Sequence, residues 1–140
     1  MFQANVIESR VVFMAKNYDN FPEKSLIKNV SSSDKETILV IDDSPKNVEI
    51  LYTLLGGAGY NVMAESDGIK GIEGIKINKP NLVLLDVMMP GIDGFEICRR
   101  LQAEASTKDI PVIFMTALSE TEEKIKGLSL GAVDYVTKPF

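Results

Sequence analysis

With 140 residues, 45 % of them hydrophobic, the chain is long and apolar enough for one ordinary domain with a real core, and disorder throughout is excluded. A formal net charge of −5 argues against direct nucleic-acid binding, which normally goes with a basic face. There is no histidine and a single cysteine, Cys98, so Ser-His and Cys-His catalysis, imidazole metal ligation and an internal disulfide all drop out, leaving carboxylates as the reactive groups.

Residues 1–36 differ in texture from the rest of the chain and read as an amino-terminal arm ending in a polar, serine-rich linker, Val30 to Glu36. Inside the arm, Ile7, Val11, Met14 and Tyr18 fall on one helical face, although the β-branched members weaken the helix. The arm lacks a basic start followed by an apolar stretch, and no run approaches the roughly 20 residues of a membrane span. Neither a signal peptide nor a membrane segment is therefore expected, and the chain reads as cytoplasmic.

From Thr37 onward strands and helices alternate. Ile38 to Ile41 is a β-rich apolar run closed by Asp42-Asp43, and Ser44-Pro45 supplies a cap and a first-turn proline for a helix. Val48, Leu51, Leu55 and Ala58 form that helix's apolar face, and Gly56, Gly57 and Gly59 end it. Tyr60 to Ala64 is the second strand, after which Asp67 caps a helix with Ile69, Ile72 and Ile75 as its stripe. Leu82 to Leu85 is an unbroken apolar run ending in Asp86, as a buried parallel strand would be. Pro90-Gly91 and Asp93-Gly94 then turn the chain, with Asp93 a turn residue, into a helix from Gly94 to Gln102 that buries Ile97, Cys98 and Leu101. Ile110 to Met115 is the fourth strand, followed by Thr116. A capping box, Ser119 with Glu122, opens a helix that stops at Gly131, and Val133 to Thr137 is the fifth strand, followed by Lys138. Five strands alternating with four helices describe a doubly wound, five-stranded parallel α/β sheet.

In such a sheet the groups following each strand collect at one edge, where ligands bind. Here these are Asp42 and Asp43, Asp86, Thr116 and Lys138. Three crowded carboxylates repel, and a bound divalent cation relieves this at low cost; all-oxygen ligation favours magnesium or manganese over zinc. A lysine and a hydroxyl beside a metal-bound carboxylate make a place for a phosphoryl group, so Asp86 reads as a nucleophile that takes phosphate onto its own carboxylate.

Residues 37–140 resemble the response-regulator receiver domain of two-component phosphorelay signalling. The resemblance is carried by ILVIDDSP, DVMMPGIDG, IPVIFMTA and GAVDYVTKP, in that order and at suitable spacing. It implies a flavodoxin-like fold with strand order 2-1-3-4-5 and a phosphorylation-controlled switch in which Asp86 accepts phosphate from a histidine kinase or a phosphotransfer protein. It implies metal binding by Asp43, Asp86 and the Met88 backbone carbonyl, with Asp42 acting largely through water. Thr116 and Tyr135 would be the switch residues and Lys138 would pair with the phosphoryl group. Such a domain assists its own phosphorylation and dephosphorylation but is not a turnover enzyme. Met88 and Leu118, both apolar, match the positions that tune phosphoryl lifetime and imply slow dephosphorylation.

The resemblance also brings a final helix after the lysine-proline pair, and the chain stops at Phe140. The final helix is therefore expected to be missing, leaving a sheet face to be explained by truncation, by a second copy in a homodimer, or by the amino-terminal stripe of Ile7, Val11, Met14 and Tyr18 folding over it. The competing function is a receiver-like interaction module that is not phosphorylated. A phosphatase of the haloacid-dehalogenase type would need a second acid two residues after the nucleophile, where Met88 stands.

Overall fold

A computed structural model describes Glu8 and residues 10–13, 35–116, 129–132 and 134–137. The elements run β1 (Thr37–Ile41), α1 (Pro45–Gly57), β2 (Asn61–Glu65), α2 (Gly68–Asn78), β3 (Leu82–Asp86), α3 (Gly94–Ala103), β4 (Val112–Thr116) and β5 (Asp134–Thr137). The strands form one sheet in the order β2-β1-β3-β4-β5, parallel at every pairing, which bears out the doubly wound expectation.

Alternation along the strands sorts their side chains onto two faces. Ile38, Val40, Leu82, Leu84, Ile113, Met115 and Val136 join one buried cluster; Leu39, Ile41, Val83, Leu85, Val112 and Phe114 join the other. Because both faces are buried, β3 and β4 carry no alternating polar residues and are buried along their whole length.

On the first face lies α1. The Ser44 side chain accepts from the Asn47 amide at 3.4 Å, Pro45 opens the helix, and Gly59 leaves it at a φ of 101°. Leu51, Leu54 and Leu55 are its buried residues; Val48 and Ala58 are only half-buried. On the second face lie α2 and α3. Asp67 caps α2 by accepting from the Ile69 and Lys70 amides at 2.8 and 3.1 Å. The expected stripe of Ile69, Ile72 and Ile75 is corrected at its first member, since Ile69 is 46 % exposed. Steps of three fall behind the 3.6-residue turn, and the face that packs is Gly68, Gly71, Ile72 and Ile75. Gly71 belongs there because a Cβ would lie 2.6 Å from the Ile41 Cδ1, which lets the helix approach β1 closely.

Helix α3 buries Ile97, Cys98 and Leu101 as expected, with Phe95 edge-on to Phe114 at 5.1 Å between centroids. Asp93 is more than a turn residue: its carboxylate accepts from the Glu96 amide at 2.9 Å and caps the helix. Glu96 in turn binds Arg99 and Arg100, each guanidinium Nε at 2.9 Å, and these bonds hold its carboxyl down to about 2. Burial pushes the Cys98 thiol up to about 11, and its sulfur donates to the Leu130 carbonyl at 3.5 Å. The helix expected from Ser119 lies mostly outside the described residues; Gly131, at its expected stop, has a φ of +99°.

Residues 10–13 are helical, and Val11 is fully buried in the cluster of Ile38, Leu55 and Leu82. Ile7, Met14 and Tyr18 of the expected stripe lie outside the described residues.

Candidate functional site

Each acidic residue of the site is delivered by the end of a central strand. After β1, Asp42 is nearly fully buried while Asp43 is exposed. The Asp42 carboxylate accepts from the Ser44 amide at 2.8 Å and from the Asn47 Nδ2 at 3.4 Å, so the start of α1 holds it in place. β3 ends in Asp86, 3 % exposed, whose Oδ1 accepts from the Met88 amide at 3.2 Å. The neighbouring β1 and β3 pair in parallel, so both strand ends point the same way and their acids converge. Carboxylate oxygens of Asp42, Asp43 and Asp86 all lie within 4.8 Å of one another.

Three acids this close, two of them buried, repel unless a cation or proton intervenes. Hard carboxylate oxygens without imidazole or thiolate suit magnesium or manganese, and the donor set fits that group.

Thr116 ends β4 and is 4 % exposed; it follows Met115, the residue paired with Asp86. Tyr135 is half-buried on β5 opposite Phe114 and packs on the second apolar cluster. The structure thus brings Asp42, Asp43, Asp86 and Thr116 to one edge. Lys138 and Leu118 lie outside the described residues, although Thr137, the residue before Lys138, pairs with Thr116. Met88 is 64 % exposed, so it is no core filler, whereas Met89 packs on the second cluster.

Two residues of the site are not evident from the sequence. Asn47 binds Asp42 from the first turn of α1, and its only signal is its place three residues after the capping serine. Gly94, which reads only as part of a turn, starts α3 against the end of β3. A Cβ there would fall on the Asp86 carbonyl oxygen and within 2.9 Å of the Val87 Cα. Its amide donates to the Val87 carbonyl at 3.0 Å, fixing the approach.

A family model described as the response regulator receiver domain matches residues 38–140. The chain belongs to that family. It is 47 % identical over 106 residues to the transcriptional regulator ycf27 of Porphyridium aerugineum, covering 76 % of this chain and 43 % of that one. It is 46 % identical over 103 residues to the DNA-binding dual master transcriptional regulator RpaA of Synechocystis, covering 74 % of this chain and 43 % of that one. The chain therefore spans less than half the length of these curated relatives. Among solved structures, a response regulator from Chloroflexus aurantiacus superposes with a TM-score of 0.73 at 37 % identity, covering 76 % of this chain and 88 % of that one. The BeF3-activated amino-terminal receiver domain of Klebsiella pneumoniae RstA gives 0.70 at 33 % identity, covering 75 % and 87 %. As a receiver domain the chain is a signalling switch of two-component systems. Among the described residues, no helix is long and apolar enough to cross a membrane.

Proposed function

We propose that Asp86 is the phospho-acceptor of this receiver and that a histidine kinase or phosphotransfer protein supplies the phosphoryl group in trans. The observation that carries this reading is the convergence of Asp42, Asp43 and Asp86 within 4.8 Å beside the buried end of β4. These 140 residues hold no histidine, so the donor imidazole lies outside them. A carboxylate oxygen of Asp86 attacks phosphorus, the phosphorus–nitrogen bond of the donor breaks, and its electron pair leaves with the imidazole, giving an acyl phosphate.

Asp43, Asp86 and the Met88 backbone carbonyl would hold magnesium or manganese, whose charge offsets that of the phosphoryl oxygens. Asp42, already engaged by Ser44 and Asn47, acts through water and keeps the acidic edge negative. The Thr116 hydroxyl takes a phosphoryl oxygen, Lys138 pairs with the same group, and Tyr135 moves inward on the space left by Thr116. The domain assists its own phosphorylation and dephosphorylation without being a turnover enzyme. These residues engage the phosphoryl donor and do not themselves bind nucleic acid, which the net charge of −5 supports. The compartment is the cytoplasm, in keeping with a free, buried Cys98.

The test is intact mass after incubation with acetyl phosphate and magnesium. A gain of one phosphoryl group that disappears in Asp86→Asn is expected. No gain in the wild-type chain would replace the switch with a passive interaction module.

A further inference from the structure

We propose that the amino-terminal segment around Val11 is an intramolecular strap, docked on the sheet face formed by Ile38, Val40, Leu82, Leu84, Ile113 and Val136. The need for a cover follows from size. Strands lie about 4.8 Å apart, so a five-stranded sheet is about 19 Å wide between its edge strands, whereas a helix with its side chains is about 10 Å across. Among the described residues the opposite face has two helices, α2 and α3, burying Ile72, Ile75, Ile97, Cys98 and Leu101. Among the described elements that follow β1, this face has α1 alone, which contributes Leu51, Leu54 and Leu55. One helix covers about half of such a face.

The described part of the arm sits where the remainder is needed. Val11 is 0 % exposed and belongs to the same cluster as those leucines, and Val12 packs against it. Arg10 carries its guanidinium 5.5 Å from the ring centroid of Tyr60, just before β2. At the other end Glu8 has its carboxyl raised, first by burial and then by the charge of Asp134, the first residue of β5. The packing of Val11 and the Arg10–Tyr60 contact hold the segment on this face beside β2, and Glu8 lies near enough to β5 to feel the charge of Asp134. Tyr60 is itself only 5 % exposed, and its hydroxyl is buried without a hydrogen-bond partner, which fits a surface that is closed over by apolar packing. The occupant is the chain's own arm because its residues are in contact and a linker leads from it to β1. A helix from another protein would reach this face only by displacing it.

The experiment uses the full chain, with hydrogen exchange, thermal melting and size-exclusion chromatography at two protein concentrations. In the wild type, amides of residues 10–13 are expected to be protected to the same degree at both concentrations, in a monomer. Val11→Asp is expected to abolish that protection and to lower Tm by about 5 °C or more, with Val11→Ala lowering it less. Ile77→Asp, a control at a side chain 79 % exposed on α2, is expected to leave both unchanged. Exchange of residues 10–13 at free-peptide rates in the wild type would overturn the proposal even if Val11→Asp fails to fold. Protection that rises with protein concentration would also overturn it, by assigning the face to a second copy.

Discussion

Gly94 offers the sharpest test of how Asp86 is held. Gly94→Ala would place a Cβ on the Asp86 carbonyl oxygen, 2.9 Å from the Val87 Cα and 3.0 Å from the Asp86 carbonyl carbon. All three neighbours are backbone, so no side chain can swing aside, and α3 or the end of β3 has to move by about 1 Å to restore ordinary contact. Overpacking of this kind costs about 1–3 kcal/mol. Replacing a helical glycine by alanine returns about 0.5–1 kcal/mol, less at a first turn than in the interior. The net expectation is a loss of about 1–2 kcal/mol, or a Tm lower by about 5–10 °C for a domain of this size. Displacement at Asp86 should also slow its phosphorylation, about tenfold or more, because attack geometry is sensitive to small shifts. The assays are thermal melting and the initial rate of mass gain with acetyl phosphate at saturating magnesium. Gly56→Ala is the internal control: a Cβ there meets nothing within 4 Å, so a gain of about 0.4–1 kcal/mol is expected. A Gly94→Ala protein that melts at or above the wild type and phosphorylates at the same rate would refute the reasoning.

The Met88 side chain is 64 % exposed and cannot orient a hydrolytic water, so Met88→Asn should shorten the phosphorylated half-life; an unchanged or longer half-life counts against that role. Cys98 is buried with its thiol pushed up to about 11, so iodoacetamide at pH 8 should label the native chain at least about 100-fold more slowly than the chain in guanidinium. Rapid native labelling would show that the α3 face opens readily. Glu96 is held down to about 2 by Arg99 and then Arg100, below its ordinary 4.5. The stability contributed by these pairs is therefore fully present above pH 4.5 and is lost as pH falls towards 2. Carboxyl NMR should place the Glu96 midpoint near 2 at low salt. High salt should raise that midpoint, because the site is on the surface.

Most of the architecture is legible in the sequence because parallel strands buried on both faces leave unbroken apolar runs. Leu82 to Leu85 announces β3, and the position of Asp86 at its end announces the edge where chemistry collects. Strand boundaries slip by one or two residues where pattern alone is the guide. Tyr60 reads as the start of β2, yet its amide bonds the Leu55 carbonyl and closes the end of α1. The stripe of α2 misleads at Ile69 because isoleucines are conspicuous in a sequence and glycines are not. Gly71 faces Ile41 of the sheet and Gly68 faces Ile92 and Ile97 at the start of α3, and their value lies in what their missing side chains allow. The same reason hides Gly94. Residue type reveals a charge that must be satisfied, but a close approach between two backbones exists only once the elements are assembled.

That distinction explains why the run from Asp86 to Gly94 carries more information than its carboxylate alone. Near its start the Met88 amide donates back to the Asp86 side chain at 3.2 Å. At its last residue, the Gly94 amide donates to the Val87 carbonyl at 3.0 Å, and Asp93 caps the helix that begins there. Between them Gly91 turns the chain at a φ of +82°, a conformation most residues avoid. The loop is thus closed on itself at both ends, and Asp86 shares its backbone contacts with the first turn of α3. The first turn of α3 lies directly against the backbone of Asp86, so the packing of Phe95, Ile97 and Cys98 bears on the position of the Asp86 carboxylate alongside the pairing of β3.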